Sequence, residues 1–435
     1  MRRKLLALLM ASAMVLGLAA CGEAANSPAQ GGGSEGGGSS EGGREANPES
    51  DEIVIGLVIP KTGPLAAFGH GSEEMRQYAI DQINEAGGIE IDGKMKTIRL
   101  VVRDSESDPT KASEAANNLI ALEGDDRIDL MITSHTNDTT IPVAAACERA
   151  GIPCLSVDTP DDAWAAEGPY TWCFHAGFNT ENELNCFKDA WDLVDGNKKI
   201  GLMYANDAEG LELSGAIKDF AESNGYEIVD PGSYVSGDTD FNAIIDKIKG
   251  EGCDIICGVM VTPDFATFYN QLKSSGYMPK VCTVAKATLF AADVEAVGPN
   301  GVGDGVVSEV WWTPNHPYSS SISEQTSQEI GDAWMEITGD SYAPATAGYD
   351  YANMEIVFDV LKRAGTTSAA DIIAAAAKTD FDSVIGHISY NEDHVSIQPL
   401  ITGQWCYENG GWVQKIIVNT QVPDCPVSGE LKPLQ

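Results

Sequence analysis

From Glu52 onward, short runs of branched apolar residues alternate with longer stretches of helical periodicity, and the whole alternation is made twice. The first run, "EIVIGLVIP" (52–60), is apolar almost throughout, the pattern of a parallel strand covered on both faces. "EEMRQYAIDQINEAGG" then places Met75, Ala79, Ile83 and Ala86 on one helical face, with Gly87-Gly88 as a stop. Strand "TIRLVVRDS" precedes "DPTKASEAANNLIALE", where Asp108 caps a helix and Pro109 occupies its first position. Strand "IDLMITS", helix "IPVAAACERAG" and strand "PCLSVD" complete the round. A second round starts near residue 198 with "KKIGLMYAND" and ends with "KVCTVAK". This order predicts an α/β chain of two Rossmann-like lobes with mainly parallel sheets.

Ligands of such sheets bind beyond the carboxyl ends of the strands. Five polar loops directly follow predicted strands: "PKTGPLAAFG", "SHTNDTT", "DTPDDAW", "ANDAEG" and "AKATLF". They are the candidates to line one cleft.

The N-terminus reads as an address. Arg2, Arg3 and Lys4 precede an apolar run, Leu5 to Ala20, which is too short and wrongly flanked for an ordinary membrane span. It ends in "LAAC", which resembles the lipobox of bacterial lipoproteins and implies a lipid anchor at Cys21. The Gly/Ser-rich stretch that follows has no large apolar residues and behaves as a slack tether, with a reach on the order of 30 Å. The chain is thereby expected outside the cytoplasm, held to the cell membrane without being embedded in it.

Charge narrows the partners. Lys plus Arg number 27 against 65 Asp plus Glu, a formal charge of −38, which repels nucleic acid and anionic lipid. A local site can still oppose that balance. Beyond Cys21, nine cysteines remain without CxxC or Cys/His metal spacing. Export permits disulfides, with Cys173–Cys186 and Cys253–Cys282 as candidate pairs; the other reading makes several of them small buried hydrophobes.

"IGLVIPKTGPLAAFG", a helix ending "INEAGG", then "DPTKASEAANNLI" and "AGIP", together resemble the type I periplasmic binding proteins. The subgroup is that of branched-chain amino-acid and amide-binding proteins of ATP-driven importers, whose late helix "AGYDYANMEIVFDVLKRAG" (347–365) also resembles. The resemblance implies two lobes joined by three hinge crossings, near His175–Asn179, Val310–Pro314 and Gln398–Thr402. The expected organisation is a signal at 1–20, a tether at 21–51, and an N-terminal lobe of 52–176 plus 312–398. A C-terminal lobe of 177–311 plus 399–425 and a tail of 426–435 follow.

Position by position, the resemblance implies a ligand site. The loop after the third strand holds a ligand carboxylate, through hydroxyls and through the N–H groups of a helix N-terminus. Asn137 stands at the principal hydroxyl's place, with His135, Thr136, Thr139 and Thr140 around it; Thr139 or Thr140 is the expected cap, and Pro142 the first turn. Phe68 matches a pocket aromatic, and Asp158 and Thr159 match a loop that meets the ligand. Glu209 falls where relatives place an aromatic, Val261 where they place a tyrosine, and Lys286 near an acidic residue that takes an ammonium group. Trp164, Trp311 and Trp312 could wall a flat ligand or fill the core.

The loop "SHTNDTT" also contains Ser, His and Asp, but neighbours on one loop seldom converge as a catalytic triad. No GxSxG elbow between a strand and a helix, HExxH or phosphate-loop motif appears. The expectation is therefore a receptor and not an enzyme, with no metal or cofactor. Its partners would be a small amino-acid or related carboxylate ligand and an ABC permease. A sensor reporting to a membrane signalling partner remains the alternative.

Overall fold

The computed structural model describes residues 43–434. The expected signal, Cys21 and most of the tether lie outside the described residues. In chain order the strands are β1 (Glu52–Ile59), β2 (Ile89–Ile91), β3 (Lys94–Asp104), β4 (Leu130–Ser134), β5 (Cys154–Pro160) and β6 (Cys173–Phe178). The next five are β7 (Lys199–Tyr204), β8 (Glu227–Val229), β9 (Ile255–Val259), β10 (Val281–Ala285) and β11 (Val307–Val310). β12 (Asp380–Ser383) and β13 (Gly386–Ser389) form a hairpin. β14 (Val395–Ile397), β15 (Ile401–Glu408) and β16 (Gly411–Val418) end the series.

Two seven-stranded sheets result, in the orders β14-β6-β5-β4-β1-β3-β2 and β16-β15-β11-β10-β9-β7-β8. Every pairing in the first is parallel except β2 with β3. The second is parallel from β8 to β11 and antiparallel through β15 and β16. The apolar runs are strands because both faces are covered: Ile53, Ile55, Leu57 and Ile59 enter one core, and Val54 and Val58 the core on the opposite face. The short β2 escaped the sequence pattern because only its two isoleucines are buried.

The chain passes between sheets after β6, after β11 and between β14 and β15. The three passages touch one another. Gln398 N–H donates to the Gly177 carbonyl at 2.6 Å, Asn182 Nδ2 donates to the Gln398 carbonyl at 3.1 Å, and the Phe178 and Trp311 rings stack at 5.0 Å. Such clustering lets a few residues absorb any change of angle between lobes.

Both expected loose ends are partly docked. Arg44 donates to the Ile128 and Ile120 carbonyls, and Asn47 N–H to Thr367 Oγ1, so the end of the expected tether belongs to the first lobe. In the expected tail, Lys432 N–H donates to Gln404 Oε1 and Leu434 joins the second lobe's core.

The candidate disulfides are absent: all nine described cysteines are free and buried. Cys173 opens β6 beside Cys154, whereas Cys186 lies on the helix Thr180–Asp192 with its sulfur accepting from Gln421. Cys253 lies two residues before Ile255, the partner of Val281, while Cys282 follows Val281 on β10. That three-residue offset separates the two by about 10 Å, beyond disulfide reach. Among the described residues, no helix is long and apolar enough to cross a membrane.

Candidate functional site

The carboxyl ends of β4 and β5 carry backbone that ordinary residues avoid. His135 has φ 87° and Asp158 φ 72°, both left-handed, and neither is glycine. At Asp158 the pairing of β5 with β6 also slips between Val157 and Pro160, a local irregularity of the kind that re-aims a side chain. Lys286, just past β10 in the second lobe, is left-handed too at 67°. Three of the residues singled out by position thus occupy strained backbone at strand ends.

The helix after β4 spans Asn137–Ala150, with Thr136 as its N-cap. This corrects the expected cap at Thr139 or Thr140, and places Pro142 inside the helix, beyond its first turn. The chain can turn early because the Thr136 carbonyl already accepts from the N–H groups of Thr139 and Thr140, at 3.0 and 2.8 Å. The helix's first N–H groups, at Asn137 and Asp138, have no intrahelical partner and mark its positive end.

Beneath the loop lies a fully buried charge network. His135 Nδ1 is 2.7 Å from Asp158 Oδ2, and His135 Nε2 is 2.8 Å from Ser72 Oγ and 3.3 Å from Asp350 Oδ1. Arg76 pairs with Asp350 at 2.5 Å, donates to Ser134 Oγ at 2.8 Å and to Asn353 Oδ1 at 3.1 Å. Burial opposes a charged imidazole at His135, but Asp350 and the hydrogen bond to Asp158 outweigh it and raise its pKa. Two cations and two carboxylates therefore balance, which is the condition for ionised groups to be tolerated inside a protein.

The site residues divide by what their polar atoms do. Thr139 Oγ1 is hydrogen-bonded with Ser105 Oγ at 3.0 Å, and Thr159 Oγ1 with His175 Nε2 at 3.2 Å, so both serve the fold. His135 is consumed by the network. Thr136 Oγ1 donates weakly to Thr139 Oγ1 at 3.3 Å. By contrast Asn137 Oδ1, Thr140 Oγ1 and Asp158 Oδ1 are buried and have no hydrogen-bond partner. Unpaired buried polar atoms are expensive and rare, and a ligand is one way to satisfy them.

Phe68 contacts both Phe290 of the second lobe, ring edge to face at 4.9 Å, and Trp311 at the second passage, at 6.3 Å. Trp311 thus belongs to an aromatic wall that spans the lobes. Trp312 and Trp164 do not: the first donates to the Val384 carbonyl within the core, and the second stacks on Tyr170 and His175.

On the second lobe, Lys286 and Glu209 form an ion pair at 2.6 Å. Burial disfavours the charged lysine, yet Glu209 and then Asp138, from the opposite lobe, raise its pKa. The two departures from the expected pattern hence compensate each other, and Lys286 is not a free cation. Val261 is 37% exposed and stands at the N-cap of the helix Thr262–Ser274. Among the described residues, no group of three or more His, Cys, Asp or Glu side chains is placed to hold a metal ion.

A family model described as "Periplasmic binding protein" matches residues 52–411, which takes in both lobes and all three passages. The chain belongs to the periplasmic binding protein family. A Leu/Ile/Val-binding protein homolog of Brucella melitensis is 25% identical over 348 residues, covering 78% of this chain and 88% of that relative. The fold matches the substrate-binding protein of a branched-chain amino-acid transporter from Streptococcus pneumoniae, solved with isoleucine. That match has a TM-score of 0.70 and 23% identity over 84% of this chain and 99% of that one. It also matches an ABC transporter solute-binding protein of Rhodopseudomonas palustris, solved with 3,4-dihydroxybenzoic acid. Here the TM-score is 0.66 and the identity 19%, over 85% and 98%.

For a periplasmic binding protein, the residues that sequence reasoning missed are the supporting ones: Ser72, Arg76, Asp350 and Asn353. Arg76 lies next to Met75 on the buried face Ser72, Met75, Arg76, Ala79 and Ile80. Asp350 and Asn353 belong to the helix Ala345–Ala364, whose residues from Thr346 to Phe358 are all buried. A polar residue inside so apolar a pattern needs a partner, and that was the available signal.

Proposed function

We propose that this periplasmic binding protein is the membrane-tethered, extracytoplasmic solute-binding subunit of an ABC importer. It captures a small amino-acid-like or carboxylate-bearing ligand as its two lobes close. The observation that carries the reading is the helix Asn137–Ala150, whose N-terminus presents free N–H groups beside the unpartnered Asn137 and Thr140 side chains. That arrangement suits a carboxylate without any bond being made or broken. The lobes meet across the Phe68–Phe290 contact, so a ligand bound by both favours the closed form, and affinity and closure are linked. The lipid at Cys21 and the permease partner rest on the sequence and the family alone. No catalytic step is invoked.

A thermal-shift screen of the full-length protein against amino acids and aromatic acids tests this, since a ligand that binds the folded state raises Tm. Stabilisation by at least one of them, which Asn137→Ala diminishes, is the expected result. A flat response to every compound, or an unchanged response in the variant, would overturn it.

A further inference from the structure

Relatives with this fold were solved with two kinds of ligand, a zwitterion and an aromatic acid, and the charges of this cleft discriminate between them. Lys61, His135 and Lys286 are the cations of the five cleft loops, and each is already paired: Lys61 with Glu73, His135 with Asp158 and Asp350, and Lys286 with Glu209. Acidic groups are in excess. Asp138 of the first lobe and Asp207 of the second both act on Lys286, whereas burial raises the Glu183 and Glu309 pKa values and favours their neutral forms. Of these, Glu309 Oε2 has no hydrogen-bond partner.

One carboxylate stands apart. Asp161 follows the bulged end of β5 and is 3% exposed, yet neither of its oxygens has a hydrogen-bond partner. Its nearest nitrogen is His175 Nε2 at 3.5 Å, and that nitrogen already contacts the Thr159 carbonyl at 3.1 Å. Room for the carboxylate is made by Gly177, where a Cβ would come within 2.8 Å of Asp161 Oδ1. The next residue, Phe178, pairs with Pro160 and stacks on Trp311 of the aromatic wall. Asp158 Oδ1, three residues away, is unpartnered as well.

We propose that the ligand bears an amine, and that Asp161 is the subsite for the ammonium group. This rests on the proposed binding function and specifies its ligand class. A buried carboxyl with no hydrogen-bond partner is ionised and relieved by a cation that brings its own donors. An aromatic monoanion, which brings no ammonium, gains nothing from this subsite.

Protonation adds a signature. The groups facing Asp161 are Asp162 on its own helix, His175 on β6, Tyr349 from the helix Ala345–Ala364, and Tyr390 beyond β13. Burial lowers the His175 pKa to about 4, so it stays neutral, and burial followed by Asp162 pushes Asp161 up to about 9. Without a cationic partner Asp161 is therefore protonated at neutral pH. An ammonium ionises it, and the proton leaves to solvent. Affinity for an amine should rise with pH between 6 and 9, and binding heat should depend on the buffer's ionisation enthalpy.

The test is titration calorimetry of the full-length protein with the proteinogenic amino acids. Each is paired with its des-amino acid where one exists, such as L-phenylalanine with 3-phenylpropanoate, and 4-hydroxybenzoate is added. Expected are an amino acid that binds with proton release, and a des-amino counterpart at least about tenfold weaker. Asp161→Asn should weaken the amine about tenfold and abolish its pH dependence, without lowering Tm, because it removes an unpaired buried carboxyl. Equal binding of amine and des-amino partner, preference for 4-hydroxybenzoate, or unchanged affinity and proton release in Asp161→Asn would overturn the subsite while leaving the binding function in place. If nothing binds, the binding function fails and the subsite with it.

Discussion

The two walls of the cleft are built differently. On the first lobe, the loop after β4 rests on a buried set of ion pairs and hydrogen bonds that links Arg76, Ser72, His135, Asp158 and Asp350. On the second, the charged residues form a single pair, Lys286 with the half-exposed Glu209, and Val261 faces solvent. Groups locked by packing and by satisfied partners hold a geometry before the ligand arrives, whereas a pair with one half-exposed partner is rearranged at lower cost. The first lobe is thus built to position, and the second to adapt. A ligand that met the first lobe first would find the proposed anion site already formed.

Breaking the first-lobe network should have the largest effect. Arg76→Met removes one cation and leaves Asp350 buried with only His135 and Ser72 to answer it, which is expected to cost ~3–5 kcal/mol. Chemical denaturation should show a lower midpoint at unchanged slope, and ligand affinity should fall with it. A loss under about 1 kcal/mol would mean that the network is not what holds the loop.

Two residues of the proposed site separate support from contact. Asp158→Ala strips His135 of its 2.7 Å partner and should destabilise by ~2 kcal/mol, so it is not a purely ligand-directed change. Asn137→Ala removes an oxygen with no partner in the fold, and should leave Tm nearly intact while weakening ligand binding several-fold. Parallel effects of the two variants on stability would erase the distinction.

The same network should carry a pH dependence. The folded-state pKa of His135 is raised, so its contribution to stability is fully present below the unfolded imidazole value near 6.5 and is lost as pH rises through the folded value. Stability of the wild type should accordingly decline above neutrality by more than that of His135→Asn, with a difference on the order of 1 kcal/mol. Parallel pH profiles would show that His135 is neutral in the fold.

The lobes and their parallel strands were legible because both-face burial writes continuous apolar runs such as "EIVIGLVIP". Strand-end loops followed from that, and with them the neighbourhood of the candidate site. What could not be read was which polar atom looks where. His135 and Thr139 are as polar as Asn137 and Thr140, yet only a left-handed turn at residue 135 and the position of Ser105 decide that the first two serve the fold. Arg76 and Asp350 lie 274 residues apart in sequence, and pairs so distant leave no local pattern. The early cap at Thr136 was hidden by Pro142, which marks a first turn more often than a helix interior.

The smallest effect is predicted for the second lobe, and it bears most directly on adaptability. Glu209 is half exposed, so its pair with Lys286 gains little over solvation, and each of Lys286→Ala and Glu209→Ala should change stability by less than about 1 kcal/mol. The double variant should show a coupling of no more than ~0.5 kcal/mol, smaller still at high salt, because exposed charges are screened. Binding should respond more than stability. Lys286→Ala leaves Glu209 unpaired and the cleft one charge more acidic, and so favours amines further, while Glu209→Ala frees a cation and should admit monoanions that the wild type rejects. A coupling comparable to that of the first-lobe network would mean that both walls are preformed, and the contrast between positioning and adapting lobes would disappear.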